Sequence, residues 1–94
     1  MTIATRQVSV TTGAGIELTS GTPATAGGKY DIAVNNTDAT NPVYIGGTSG
    51  VTSSTGYKLT AGNAISLRLE AGEKLFARAT GGTVVCSCIE STVA

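Results

Sequence analysis

The sequence has 94 residues, a net charge of zero from six basic and six acidic side chains, and no histidine. This length allows one domain over residues 1–94 with one thin core, whose stability is marginal unless a partner subunit adds to it. The scattered basic residues argue against the basic face that nucleic-acid binding needs, and without histidine neither Ser–His nor Cys–His catalysis is possible.

The composition favours β structure, because Val and Ile outnumber Leu and the chain has 13 glycines. Branched side chains fit a pleated sheet, and Gly, Asn and Asp fit the turns between strands. No apolar stripe of helical spacing persists along the chain, so we expect no helix longer than a single turn.

The first strands are predicted from alternating side chains. Residues 7–11 and 16–19 each alternate apolar and polar residues around a glycine-containing turn, which predicts an N-terminal hairpin. Residues 1–5 are expected to form a free N-terminal arm. Residues 20–28 are small and polar and are expected to form a loop.

A stronger strand follows this loop. Tyr30, Ile32 and Val34 occupy alternate positions, so their side chains share one face and are expected to enter the core. Residues 37–42 then carry Asn, Asp and Pro, which favour a turn because their side chains cap the backbone or fix its torsion angles.

The next short strand places Val43 and Ile45 on one side and Tyr44 on the other. Tyr44 either covers a second core face or anchors a subunit interface, where tyrosine is enriched. Three glycines after this strand predict a bulge or sharp bend with positive φ: Gly46, Gly47 and Gly50.

Turn signals recur about every ten residues in the second half of the chain, at 61–63, 71–73 and 81–82. Between the first two turns, Ile65, Leu67 and Leu69 alternate with polar residues and are predicted to face inward. This spacing predicts an all-β fold, a single-domain antiparallel β-sandwich or jelly-roll-like barrel of about seven or eight short strands. Residues 91–94 are expected to form a short tail.

The two cysteines, Cys86 and Cys88, are two residues apart on a predicted strand. Their Cα atoms are therefore about 6.5–7 Å apart, which is at or beyond the limit for a disulfide between them. No other Cys or His can complete a four-ligand metal site. The pattern favours two small core residues over an intermolecular disulfide or a redox role.

No pattern of catalytic, cofactor-binding or metal-binding residues is present in the sequence. The carboxylates of Asp31, Asp38, Glu70 and Glu73 could be paired, but the small core leaves little room for a cleft between them. The glycine-rich residues 46–50 lack the Lys-Ser/Thr that completes a phosphate-binding loop. We therefore expect a protein that is not an enzyme and that uses no cofactor.

Four segments resemble a known group of proteins. Residues 36–47 read NTDATNPVYIGG, residues 51–57 read VTSSTGY, residues 59–62 read LTAG, and residues 73–77 read EKLFA. Together they resemble the small β-domain virion proteins of tailed bacteriophages, which include capsid decoration (cement) proteins and head fibres or spikes. The resemblance covers about residues 30–89 and carries no catalytic residues.

The resemblance implies a structural virion protein, most specifically a capsid decoration protein bound non-covalently to the major capsid protein or another virion protein. It implies a homo-oligomer, with a trimer favoured and a pentamer as the alternative. The resemblance also implies a location on the capsid surface after synthesis in the host bacterium. The N-terminus lacks a signal-peptide pattern and no segment suits a membrane span, so we expect the protein to be made in the cytoplasm.

On this hypothesis the arm at 1–7 and the loop at 49–56 clamp neighbouring capsomers. The candidate interface residues are Tyr44, Thr48, Ser49, Val51, Tyr57, Ile3 and Arg6. The alternative function is a receptor- or glycan-binding module of a head fibre, spike or tail, in which exposed tyrosines stack on sugar rings.

Overall fold

The computed structural model describes residues 2–19, 29–70 and 73–93, and this part of the chain contains eight strands and no helix. The strands are β1 (Thr2–Val10), β2 (Ile16–Glu17), β3 (Lys29–Asn36), β4 (Val43–Gly46), β5 (Tyr57–Leu59), β6 (Ala64–Leu69), β7 (Phe76–Ala79) and β8 (Val84–Val93). The predicted loop at 20–28 and the start of the predicted turn at 71–73 lie outside the described residues.

The strands form two four-stranded sheets. Sheet A has the order β1-β8-β3-β6 and sheet B the order β2-β7-β4-β5, and every pair of neighbours is antiparallel. The apolar sides of the two sheets face each other, as in a β-sandwich. The predicted all-β antiparallel sandwich of seven or eight strands is confirmed.

Alternation along the long strands explains which side chains enter the core. Tyr30, Ile32 and Val34 are each at most 1% exposed, as predicted for β3. Cys86 and Cys88 project inward from β8 in register with the same strand. The core cluster comprises Val10, Leu18, Tyr30, Ile32, Val34, Val43, Ile45, Leu59, Leu69, Leu75, Ala77, Ala79, Val84, Cys86 and Cys88.

The predicted N-terminal hairpin is wrong. β1 pairs with β8 in sheet A, whereas β2 pairs with β7 in sheet B. The backbone crosses from one sheet to the other at residues 11–15, where the N–H of Ala79 donates to the carbonyl of Thr11 at 3.0 Å. Local alternation predicted both strands correctly, but it contains no information on which sheet each one joins.

The predicted free arm and C-terminal tail are also wrong within the described residues. β1 begins at Thr2, and β8 extends to Val93. Thr2 lies opposite Thr92 in an unbroken antiparallel register. Because each strand supplies the other's backbone partners, residues 2–5 and 91–93 belong to the sheet.

β6 is an edge strand of sheet A, and this changes one predicted core position. Leu69 is buried and Ile65 packs against the core, but Leu67 is 37% exposed. Leu67 lies opposite the buried Ile32 and so points to the inner side. Its exposure follows from the edge position, where no neighbouring strand covers it on one flank.

Arg6 connects the two sheets. Its Nη2 atom donates to the carbonyl oxygen of Leu18 at 2.7 Å and to that of Glu17 at 3.3 Å. Its Nε atom lies 3.9 Å from a carboxylate oxygen of Glu90, whose side chain is 4% exposed. This guanidinium therefore holds β1 to the segment after β2 and places a positive charge beside a buried carboxylate.

Replacing Arg6 by Ala should lower the free energy of unfolding by about 2–3 kcal/mol, because Leu18 O and the Glu90 carboxylate lose their donor and countercharge. Urea unfolding followed by circular dichroism measures the change. Arg68→Ala is the matched control: Arg68 pairs with Asp31 at 2.9 Å but is 63% exposed, so its loss should cost less than about 1 kcal/mol. Equal losses in the two variants would contradict the bridging role of Arg6.

Candidate functional site

The segment at residues 36–47 begins with a buried asparagine. Asn36 is 0% exposed, and its Nδ2 atom donates to the carbonyl oxygens of Asn41 at 3.0 Å and Leu59 at 3.1 Å. Its Oδ1 atom accepts the N–H of Asp38 at 3.0 Å. One amide thus joins the end of β3 to the following turn and to β5 of the other sheet.

The backbone of Asn36 extends the same network. Its N–H donates to the carbonyl oxygen of Asn63, and its own carbonyl accepts the N–H of Gly62, each at 2.9 Å. Gly62 has a φ of +78°, which L side chains rarely adopt, so a glycine is needed at this turn between β5 and β6. Asn36 therefore fixes the position of the turn between β3 and β4 relative to the turn between β5 and β6.

Asp38 closes the turn between β3 and β4. Its Oδ2 atom accepts the N–H groups of Asn41 at 2.7 Å and Thr40 at 3.0 Å. These backbone hydrogen bonds, with that to Asn41 the larger cause, lower the pKa of the Asp38 carboxyl below its ordinary value. The carboxylate is engaged as a cap of its own turn.

Val51 is a correction to the predicted interface. It is 4% exposed and lies beneath the loop. A Cβ atom added at Gly46 or Gly56 would come within 2.8 Å of its Cγ2 atom. Packing against Val51 therefore requires these glycines. The sharp bend predicted at Gly46, Gly47 and Gly50 is present, since residues 47–50 form bends and turns directly after β4. None of the three has a positive φ, however, and the described glycines that do are Gly62 and Gly82.

The guanidinium of Arg6 bridges Leu18 and Glu90 between the sheets, a role that was not predicted. Its side chain is also 37% exposed, so its place in an interface stays a prediction. The sequence missed this role because a lone Arg in an alternating strand gives no sign of an inward partner. Ile3, by contrast, is 63% exposed on β1.

The remaining predicted interface residues lie near sheet B. Thr48 and Ser49 are exposed, although the carbonyl of Ser49 accepts the N–H of Gly15 at 2.9 Å. Tyr57 is 63% exposed at the start of β5. These residues form a loop edge that is separate from Ile3 in sheet A, so the structure does not unite the predicted residues in one site.

Tyr44 is half-buried on the outward side of sheet B. It lies directly opposite Lys58 on one neighbouring strand and Arg78 on the other. Side chains at directly opposed positions share a face, so the ring is flanked by two cations. Tyr44 therefore covers no second core, and we call this surface, with Tyr44, Lys58 and Arg78 at its centre, the outer face of sheet B.

The outer face of sheet A was not predicted as a surface of interest. Its four strands bring together the side chains opposite the core positions: Ile3, Thr5, Gln7, Ser9, Val85, Ser87, Ile89, Ser91, Asp31, Ala33, Asn35, Ala64, Ser66 and Arg68. Ile89 is 47% and Val85 is 37% exposed. The signal was present in the sequence, because inward Cys86 and Cys88 imply that Val85, Ser87 and Ile89 point outward.

An open hollow of about 480 Å³ lies at the β6 edge of this outer face, beside Asp31, Ser66 and Arg68. Two further shallow grooves, with volumes of about 330 Å³ and 220 Å³, run along its central strands. Both are bordered by Ala33 and Ile89, so the Ile89 side chain forms the ridge between them. The first continues past Gln7 and Ser87, and the second past Ile3. Small side chains on the central strands leave these hollows.

The acidic residues that the sequence offered as possible catalytic pairs have local structural contacts. Asp31 accepts a hydrogen bond from Arg68 at 2.9 Å, and a carboxylate oxygen of Glu73 accepts the N–H of Glu70 at 2.7 Å. Within the described residues, no three Cys, Asp or Glu side chains are grouped so that they could hold a metal ion.

The cysteines are buried in the core, as predicted, at 0% exposure for Cys86 and 3% for Cys88. Both thiols are free. Burial raises the pKa of Cys86 to about 11 and raises the pKa of Cys88 above its ordinary value. A protonated, enclosed thiol is a poor nucleophile and a poor partner for disulfide exchange.

Comparison with known proteins supports the fold. No protein-family profile and no curated protein matches the sequence. The structure is similar to a protein of the Bacillus endospore appendages, described as a novel family of disulfide-linked pili (TM-score 0.57, 16% identity, 99% of this chain and 90% of the other). It is also similar to a cupin protein from Bacteroides fragilis (TM-score 0.53, 15% identity, 94% of this chain and 64% of the other). At these identities the likeness shows the β-sandwich fold alone.

The described residues contain no helix long and apolar enough to cross a membrane.

Replacing Asn36 by Ala should lower the free energy of unfolding by about 2–4 kcal/mol, because three hydrogen bonds are lost and buried carbonyls of two segments are left without a donor. Chemical denaturation measures the loss. Asn35→Ala is the matched control, since the adjacent side chain is exposed on the outer face and its removal should change stability by less than about 0.5 kcal/mol. A similar change in both variants would show that the Asn36 network is dispensable.

Thiol reagents should leave Cys86 and Cys88 unmodified in the native protein at pH 8 and modify both in denaturant, since burial both shields the thiols and disfavours the thiolate. Mass spectrometry of timed labelling reactions counts the modified thiols. Two modifications within seconds under native conditions would contradict the core assignment.

Proposed function

We propose that this protein is a structural virion protein of a tailed bacteriophage, specifically a capsid decoration protein that binds the head non-covalently and assembles as a homo-oligomer, with a trimer as the favoured state. The proposal rests on the side chains of residues 36–47, the segment that resembles the phage proteins. The side chains of Asn36 and Asp38 bond to backbone within the fold, so the segment specifies a scaffold whose surfaces are left for binding.

The chemistry of the described side chains supports a passive role. Carboxylates are bonded to neighbouring residues, as Asp31 is to Arg68, and both thiols are buried with raised pKa values. A decoration protein needs a stable scaffold with binding surfaces and performs no reaction on its partner. This arrangement is compatible with that role.

The likeness to the Bacillus endospore appendage protein adds that sandwiches of this kind can serve as building blocks of extended assemblies. The disulfide linkage described for those pili does not transfer to this chain. Cys86 and Cys88 lie in the core, where they cannot reach a neighbouring subunit without unfolding.

The second candidate function is binding of a receptor or glycan by a head fibre, spike or tail. The exposure of Tyr57, at 63%, favours it, because an exposed aromatic ring on a loop edge can stack on a sugar. Tyr44 on the outer face of sheet B offers a second ring, flanked by Lys58 and Arg78.

Purified protein should co-sediment with undecorated heads assembled from the cognate capsid protein and saturate at a fixed ratio to it, because decoration sites repeat on the lattice. Electron cryomicroscopy of the saturated heads then locates the added density. Lack of binding to heads, together with saturable binding to a glycan array that is lost in Tyr57→Ala, would replace decoration by the glycan-binding function.

A further inference from the structure

A hollow of about 310 Å³ lies on the outer side of sheet B, where the loop before β5 passes the end of β7. The residues that line it are Thr12, Thr52, Ser53, Arg78, Ala79 and Thr80. We propose that this hollow binds a sugar that carries a carboxylate, such as a hexuronic acid. The inference goes beyond capsid decoration and does not depend on it.

Arg78 supplies a positive charge to the hollow. Its side chain is half-buried, and its Nε atom donates to the carbonyl oxygen of Thr12 at 3.3 Å. The ion pairs among the described residues involve the other two arginines, so no described carboxylate lies within 4.0 Å of this guanidinium. Because the bond from Nε fixes the guanidinium and leaves both Nη atoms without a described acceptor, these atoms can hold a carboxylate by two hydrogen bonds.

The other charges on this face do not neutralise Arg78. Glu17 also points to the outer side of sheet B, but its carboxylate accepts the hydroxyl of Thr19 at 2.7 Å and lies beyond ion-pair distance of Arg78. Lys58 lies on the same face, on the far side of Tyr44 from Arg78. The strands of sheet B thus place two cations and one carboxylate on this face, so its charge favours an anionic ligand.

The remaining polar groups of the hollow suit the hydroxyls of a sugar. The hydroxyls of Thr12, Ser53 and Thr80 make no hydrogen bond to a described residue, and neither does the N–H of Ser53. Each hydroxyl can both donate and accept, as the hydroxyls of a sugar do. Thr52 differs, because its hydroxyl accepts the N–H of Ser54 at 3.2 Å and so maintains the shape of the loop.

The position of the hollow favours a sugar over an acidic peptide. Arg78 lies on β7, which is an inner strand of sheet B, so no strand edge is available there to pair with a peptide backbone. A volume of about 310 Å³ is larger than a carboxylate needs and lies at the lower end of the range of small-molecule sites. Tyr44 lies directly opposite Arg78 with its Cβ atom about 5 Å away, so its ring is within reach of a sugar that the guanidinium holds.

The test is a titration of the isotope-labelled protein with glucuronate, followed by the NMR signals of the backbone amides. Glucose and acetate are titrated in parallel, because they supply the sugar ring and the carboxylate separately. Glucuronate at millimolar concentrations should shift the amide signals of Thr12, Ser53 and Arg78. It should bind at least about tenfold more tightly than glucose or acetate, since the ring and the carboxylate are held together.

Arg78→Gln should weaken glucuronate binding at least about tenfold, because the charge-assisted hydrogen bonds are lost. Arg68→Gln is the matched control: it removes the same charge from an arginine that is 63% exposed in sheet A, and it should leave the binding unchanged. Circular dichroism confirms that both variants are folded.

The site is refuted if glucuronate shifts none of these amides, or if the two variants weaken binding equally. Equal affinity for glucuronate and acetate would leave a general anion site and overturn the sugar as its ligand. Arg78-dependent binding of a polyglutamate peptide, without binding of glucuronate, would make an acidic protein segment the ligand instead. Co-sedimentation with undecorated heads measures decoration separately, so failure of either proposal is distinguishable from failure of the other.

Discussion

The side-chain amide of Asn36, the last residue of β3 in sheet A, bonds to the turn between β3 and β4 and to the end of β5 in sheet B. A carboxylate there would lose both donors, and an aliphatic residue would leave two carbonyls without partners in a buried place. The turns around 38–41 and 60–63 depend on this amide for their relative position. Arg6 makes a comparable connection between β1 and the segment after β2.

Side-chain alternation predicted much of the fold, including the strands, the inward residues of β3 and the burial of both cysteines. It failed where the answer depends on distant parts of the chain. Whether β1 and β2 share a sheet is decided by β7 and β8, and whether Val51 is surface or core is decided by its contacts with Gly46 and Gly56. The glycines show the same limit of prediction from sequence. Some are required because a neighbouring side chain packs closely against the backbone and others because φ is positive, and the sequence does not distinguish the two cases.

The two outer faces of the sandwich carry different kinds of side chains. Among the described side chains, the face of sheet A carries exposed isoleucines and the Asp31–Arg68 ion pair, whereas that of sheet B carries a tyrosine between Lys58 and Arg78. In the proposed homo-oligomer each outer surface would be present several times, which raises the avidity of even weak single contacts.

The position of β8 in the middle of sheet A has a kinetic consequence. β1 and β3 are synthesised early, yet they do not pair with each other, since β8 lies between them. During translation β3 can pair with β6, but β1 and the other edge of β3 stay unpaired until Val84–Val93 has left the ribosome. Sheet A then closes by long-range pairing, which is slow. In that interval a β8 from a neighbouring nascent chain can fill the same gap. Strand exchange between copies made on one messenger RNA is therefore the characteristic misfolding risk of this topology.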